Sequence, residues 1–485
     1  MDPSESSGST AAEDSRNLSE VAAPPPLEHQ PEHRAPDQTH NQFLAQQAEK
    51  PRELGPAEST VPQPVTAEDL QHHHHPWTEA TDRGYDEGYG HENAPGPGVE
   101  HLSGPAHEKP PESKPTDVPV PLSKRATHLY TVSYLVFFSV WGTLARLGMQ
   151  SLTFYTGAPV VTSVLWANVA GCIVMGFFLE DKNLFKEEWG DAKHRPPPSD
   201  EQEEKERIKA HKSVKKTIPL YIGLTTGFCG CFTSFSSFLR DVFLALSNDL
   251  PNPTRATIYH RNGGYSFMAI IGVIIIEVSL SLSALIFGAH LALALAPVTP
   301  TVPFNFTRKF VDRICVVLGW GCWLGAVFLA IWPPDRHQTT ETWRGRAIFA
   351  VVFSPLGCLF RFYISLYLNP RLPTFPLGTF AANMLGTIIL GMCYDLQHAK
   401  GIGAVATGGL ITKSLLTSCQ VLQGVMDGFC GSATTVSTWV SELNGLSCRR
   451  SAYLYGILSV GVGLGFLVVI MGSLRWTLGF VHPAC

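Results

Sequence analysis

Beyond residue 124 long apolar stretches alternate with short polar connections, whereas ahead of it apolar positions are sparse and follow no helical or strand period. A stretch of about 18 apolar residues is long enough, at the helical rise, to cross a hydrocarbon core about 30 Å thick. Nine such stretches are legible: 130–150, 159–179, 218–240, 266–297, 314–332, 347–368, 377–394, 421–443 and 452–474. The pattern predicts an all-α polytopic membrane protein with nine transmembrane helices. Four crossings return a chain to its starting side, so the fifth helix makes the last four begin on the opposite side. Two similar groups of four would then be inverted repeats.

This divides the chain into a tail (1–125), a first four-helix repeat (126–298), a linker with its own helix (299–346) and a second repeat (347–485). Lys and Arg decide which side is which. One side carries Lys124, Arg125, the 180–217 loop, Arg308, Lys309, Arg371, Arg449 and Arg450; the other has Arg255, Arg261, Arg336, Arg344, Arg346, Lys400 and Lys413. The richer side is expected in the cytosol, with the N-terminus inside, the C-terminus outside and the sequon at Asn305 cytosolic and unglycosylated.

Averages over all 485 residues, 45% hydrophobic and 16% charged, describe neither part. The tail is crowded with Pro, Glu, His, Ser and Gln; it lacks the apolar surface to offset chain entropy and reads as disordered. Without a basic-then-apolar leader, insertion falls to an internal helix and the tail stays cytosolic. His72 to His75 could bind a metal, but a His run without carboxylate or thiol partners reads as low complexity. The eleven cysteines, mostly in apolar stretches, imply neither a disulfide framework nor zinc spacing. The net charge of −5 and the lack of a basic domain suggest no nucleic-acid partner.

Self-comparison finds three motifs repeated in order. Gly142 and Arg146 match Gly357 and Arg361, four apart in each case; Asn168, Gly171 and Gly176 match Asn383, Gly386 and Gly391. The interval from arginine to asparagine is 22 residues in both halves. Third, Gly227, Gly230, Thr233, Phe235, Ser236, Ser237 and Phe238 align with Gly428, Gly431, Thr434, Val436, Ser437, Thr438 and Trp439, with Asp241 and Glu442 in register. Duplicated halves in opposite orientations give a pseudo-two-fold axis in the membrane plane, with function at the interface between them.

An asparagine inside an apolar span needs hydrogen-bond partners. Asn168 and Asn383 are therefore either interhelical glue or amide donors to a dehydrated anion. The glycine- and hydroxyl-rich third motif predicts a helix break at mid-membrane depth, whose freed backbone must find protein, water or an ion. Either the breaks cross closely with no ion, or their carbonyls share a cation. Phe235 and Phe238, one turn apart, read as packing residues or as rings whose positive edges line an anion path. Arg146 and Arg361 near span ends would snorkel, draw anions into a vestibule or hold helices in register. Glu277 and Asp427 are further intramembrane acids without a visible partner.

Over roughly 130–475 these six motif copies resemble the fluoride channel family, called Fluc in bacteria and FEX, for fluoride exporter, in fungi. Its bacterial members are four-helix chains forming antiparallel dimers with two pores and a central sodium; its fused eukaryotic members join two halves by an added helix. The resemblance implies that Asn168 and Asn383 are pore-side donors and that Phe235 and Phe238 are the pore aromatics, accompanied by the hydroxyls of Ser236, Ser237, Ser437 and Thr438. It further implies that Gly230, Thr233, Gly431 and Thr434 offer backbone carbonyls to a structural sodium ion, and that Thr379 lies along the pore. Val164 stands where the first half would match Thr379, and Val436 and Trp439 replace the two phenylalanines, so one pore is expected to be competent and the other degenerate.

The implied function is passive fluoride export at the plasma membrane by a monomer of two fused repeats, embedded in the lipid bilayer, without an organic cofactor. Fluoride holds its water tightly, so a selective path must replace hydration with donors and exclude larger anions sterically. The inside-negative potential drives each charge outward with about 2.3 kcal/mol per 100 mV. The alternative is a fluoride/proton exchanger, since inverted repeats and intramembrane acids also suit alternating access. Neither a His-Glu-x-x-His helix nor a Ser-Lys or paired-aspartate signature points to an enzyme.

Overall fold

The computed structural model describes residues 123–158, 160, 162–186, 211–251, 261–332, 347–405 and 410–485. The tail with its His72 to His75 run, the middle of the 180–217 loop, and Arg255, Arg336, Arg344 and Arg346 lie outside the described residues. The described part is helical, with no named strand.

Helices α1 (Lys124–Thr153) and α2 (Leu165–Glu180) open the first half. The third segment, α3 (219–232), contains a π-helical stretch at Gly223–Cys229 and breaks before α4 (Phe235–Ser247). Then follow α5 (Gly263–Leu295) and the linker helix α6 (Phe304–Ile331). The second half repeats the order: α7 (Phe349–Leu368), α8 (Leu377–His398), a segment α9 (413–433) with a π-helical stretch at Val425–Cys430, α10 (Ser437–Gly445) after a second break, and α11 (Arg449–Thr477).

Seven of these segments are long and apolar enough to cross a membrane; of the two remaining expected spans, α2 is a shorter apolar helix and α9–α10 falls outside the seven. The shortness of α2 follows from its start: Gly157 takes a left-handed φ of 86°, and the helix begins only at Leu165. The α9–α10 segment carries Gln420, Asp427, Ser432, Thr434, Thr435 and Ser437, all buried. Polar broken helices are tolerated at membrane depth only when protein encloses them. The layering obeys that rule: the most apolar helices α5, α6 and α11 are 22–28% buried over their hydrophobic windows, whereas the broken α3–α4 segment is 78% buried.

Close helix contacts hold each half together. Helix α2 lies so near α5 that a Cβ at Gly176 would collide with the Leu285 carbonyl and one at Gly288 with that of Ile173. Without a hydrophobic drive between helices in lipid, such small-residue contacts supply the packing. Linker helix α6 bridges the halves, donating Trp320 Nε1 to Ser133 Oγ of α1 (3.1 Å) and Trp323 Nε1 to the Val352 carbonyl of α7 (3.0 Å). Pro355 cannot return a hydrogen bond to Val351 inside α7; the Ser354 hydroxyl reaches that carbonyl instead at 3.3 Å.

One sequence expectation is corrected. Cys419 and Cys485, 66 residues apart, form a disulfide. The last residues of the chain fold back onto the 398–404 turn, with Val481 N donating to the His398 carbonyl (3.3 Å) and Ala484 N to that of Gly403 (2.9 Å). That return brings Cys485 to α9, a proximity that cysteine spacing does not encode.

Candidate functional site: two crossed breaks and the seams beside them

Each break is made by an asparagine. In a continuous helix the Ser234 N–H would return to Gly230 and the Thr435 N–H to Gly431. Instead Ser234 N donates to Asn168 Oδ1 (2.8 Å) and Thr435 N to Asn383 Oδ1 (2.9 Å). Both asparagines are wholly buried. One turn on, Ser237 N is taken by Ser234 Oγ (3.3 Å) and Thr438 N by Thr435 Oγ1 (3.4 Å), which caps the following helices. The helical donors for the carbonyls of Gly230, Thr233, Gly431 and Thr434 are thus spent on side chains, and Thr233 and Thr434 take extended backbone conformations.

The two breaks then lock together. Thr233 Oγ1 accepts from Val436 N (3.2 Å) and Ser437 N (3.1 Å), and lies 3.1 Å from the hydroxyls of both Thr435 and Ser437. Reciprocally, Thr434 Oγ1 accepts from Ser236 N (3.0 Å) and donates to Ser236 Oγ (3.0 Å). The hydroxyls expected along the pore therefore divide: Ser236 and Ser437 knit the crossing, whereas those of Ser237 and Thr438 accept from the capping hydroxyls of Ser234 and Thr435.

Arg146 and Arg361 are 1% and 2% exposed, positions that snorkelling would not produce. Arg146 donates to the carbonyls of Gly431 (2.5 Å) and Asp427 in the other half. Arg361 donates to Thr226 across the halves (2.7 Å) and to Ser432 in its own (3.0 Å). Each guanidinium occupies the space a Cβ would need on the other half's glycine, Arg361 at Gly230 and Arg146 at Gly431. The glycine and arginine motifs are one device: the glycine admits the guanidinium that satisfies backbone freed by the break.

Of the four carbonyls a cation would use, Gly431's is already shared with Arg146. Those of Gly230, Thr233 and Thr434, released by the breaks, are hard oxygen donors of the kind a monovalent cation takes, so the crossing fits a small ion in which they would be the ligands.

Beside the crossing run two seams. In the first, α4 packs against α8 and α11 of the second half; in the other, α10 packs against α2 and α5 of the first. They differ at the asparagines. Asn168 Nδ2 donates to the buried carboxylate of Glu277 on α5. Asn383 Nδ2 makes only a 3.3 Å bond to the Thr435 carbonyl. Phe235 and Phe238 are buried on α4, with ring centroids 5.7 Å apart and edge to face. Phe235 also meets Trp439 of α10 at 5.2 Å. Sequence comparison reads Trp439 as a replacement; the fold joins it to the same aromatic cluster.

Carboxylates guard both seams. Thr379 Oγ1 donates to Glu442 (2.6 Å), which also accepts from Tyr455 (2.8 Å). At the matching place Asp241 accepts from Ser163 N (2.8 Å) and pairs with Arg240 (3.1 Å). Ser163, Arg240 and Tyr455 carry no signal in the repeat and are found only through these contacts. Asp427, the other unassigned acid, accepts from Gln423 (2.6 Å) one turn earlier on α9.

Two stretches of the chain, 133–289 and 348–473, match the family described as CrcB-like protein, Camphor Resistance (CrcB). Fluoride export protein 1 of Neurospora crassa is 55% identical over 380 residues, 75% of this chain and 70% of that protein. Fluoride export protein 1 of Candida albicans is 33% identical over 359 residues, 74% and 83% of the two chains. Fluoride-specific ion channel FluC of Pseudomonas paraeruginosa is 32% identical over 138 residues, which are 28% of this chain but 98% of that protein. No solved structure matches. With both halves matched separately and each carrying one set of the glycine, arginine and asparagine motifs, this chain belongs to the CrcB-like protein family.

Proposed function

We propose that this chain exports fluoride passively from the cytosol across the plasma membrane, as a channel whose conducting passage is the seam between α4 and α8. Fluoride as the cargo rests on the 55% identity to Fluoride export protein 1 of Neurospora crassa. The choice of seam rests on one observation: Asn168 is bound to a buried carboxylate, whereas Asn383 is bound only weakly to a carbonyl. An anion approaching Asn168 meets an amide already committed to the Glu277 carboxyl group, while one approaching Asn383 meets an amide able to turn its N–H groups toward it. Phe235 and Phe238 belong to α4, one wall of that seam, and their ring edges carry partial positive charge without trapping the ion as a fixed lysine would.

The reading takes the nine segments as crossings and the halves as inverted repeats acting within one monomer. The reciprocal contacts support it, since each arginine, glycine and threonine of one half meets its counterpart's neighbours in the other. A C-terminus outside the cell is supported by the Cys419–Cys485 disulfide, because such bonds persist in oxidising compartments. A structural sodium ion at Gly230, Thr233 and Thr434, sharing Gly431 with Arg146, would supply a fixed positive field where the breaks cross.

Two acids in the seams, the buried Glu277 and the half-buried Glu442, favour a second reading, a fluoride/proton exchanger. Purified protein in liposomes tests both: rapid fluoride efflux that ignores a proton gradient, with no chloride efflux, is the expected result. Efflux that requires an opposing proton gradient would overturn the channel reading in favour of exchange.

A further inference from the structure

Trp439 is among the largest fully enclosed side chains of the described residues, 1% exposed, and its indole Nε1–H has no hydrogen-bond partner. Buried donors are almost always satisfied, so an orphan calls for a physical reason. The repeat sharpens the question, because the equivalent position in the first half is Phe238, a ring without a polar atom. Packing alone would be served by phenylalanine at no desolvation cost. Nor does the indole lie apart from the proposed passage: its ring meets Phe235 edge to face, and Phe235 meets Phe238.

An aromatic C–H edge attracts an anion weakly, whereas an N–H in the same place donates a charge-assisted hydrogen bond, shorter and about twice as strong as a neutral one. Trp439 also adds no net charge, so it raises the affinity of the site without creating a trap. We propose that Trp439 Nε1–H is a hydrogen-bond donor to the permeating anion, left unpaired in the ion-free protein because its acceptor is the ion. The second half's departure from phenylalanine is then a gain of a specificity-determining donor. The anion it fits is small and hard, able to enter a close aromatic cluster while accepting a directional bond. This rests on the fluoride reading above.

The full chain, with its ten tryptophans labelled with nitrogen-15, gives indole N–H signals in lipid nanodiscs, and Trp439→Phe identifies the one belonging to residue 439. Sodium fluoride should shift that signal saturably, and sodium chloride at equal ionic strength should not. A signal that ignores fluoride, as a resident water acceptor would produce, overturns the proposal. In liposomes Trp439→Phe should lower fluoride efflux about tenfold or more, the scale of one hydrogen bond to a charged group, while elution and melting temperature stay near wild type. Unchanged efflux also overturns it. Should Trp439→Phe fold poorly, 3-benzothienylalanine at position 439 keeps the bicyclic shape, removes only the N–H, and is read the same way. If the unaltered protein releases no fluoride, the export reading fails instead, and the indole titration still decides whether the site binds the ion.

Discussion

Replacing Asn383 by aspartate separates structural from conductive roles in one atom. The new carboxylate keeps an oxygen where Asn383 Oδ1 accepts the Thr435 N–H at 2.9 Å, so the break retains its cap. It lacks the Nδ2 donor, whose 3.3 Å bond to the Thr435 carbonyl contributes little, and it sets a negative charge in the proposed passage. Two unit charges about 4 Å apart repel by about 4 kcal/mol at an effective dielectric constant near 20, which is roughly a thousandfold in rate. The control is Asn168→Asp, which keeps the matching cap on Ser234 but adds its charge beside Glu277, in a seam that already holds a carboxylate. Fluoride-electrode recordings of efflux from liposomes should show Asn383→Asp nearly inactive and Asn168→Asp largely active, with both proteins eluting as the wild type does. Equal losses, or a loss confined to Asn168→Asp, would refute the assignment of the conducting seam.

Replacing Phe235 and Phe238 together by leucine should reduce efflux far more than it lowers the melting temperature; transport that survives removes the rings from the passage. Arg146→Met strands the Gly431 and Asp427 carbonyls, each costing about 1–3 kcal/mol when buried and unpaired; a fall of several degrees in melting temperature is expected, and an unchanged value would mean that water replaces the guanidinium. Cys419→Ser opens a 66-residue loop, whose closure is worth about 4 kcal/mol in the chain-entropy account. The freed Cys485 should then react with a membrane-impermeant maleimide added outside intact cells, and labelling only after permeabilisation would reverse the proposed orientation.

What the sequence determined by itself is the local and repeated part of the protein. Span length, the 22-residue arginine–asparagine interval and the doubled glycine motif follow from period and order, which a linear chain displays. The helix breaks were legible too, since glycine and hydroxyl density at membrane depth is a property of adjacent residues. Only the tertiary structure decided which polar groups meet. Arg146 looks like a span-end cation until the fold sets it against Gly431, 285 positions away. Asn168 and Asn383 are equivalent in the repeat and differ only because Glu277, 109 positions from Asn168, folds onto one of them. Trp439 joins Phe235, and Cys485 reaches Cys419, by the same kind of long-range return. The physical reason is that a buried polar atom is defined by its partner, and across this chain the partners come from the opposite half or a distant helix, where no local pattern records them.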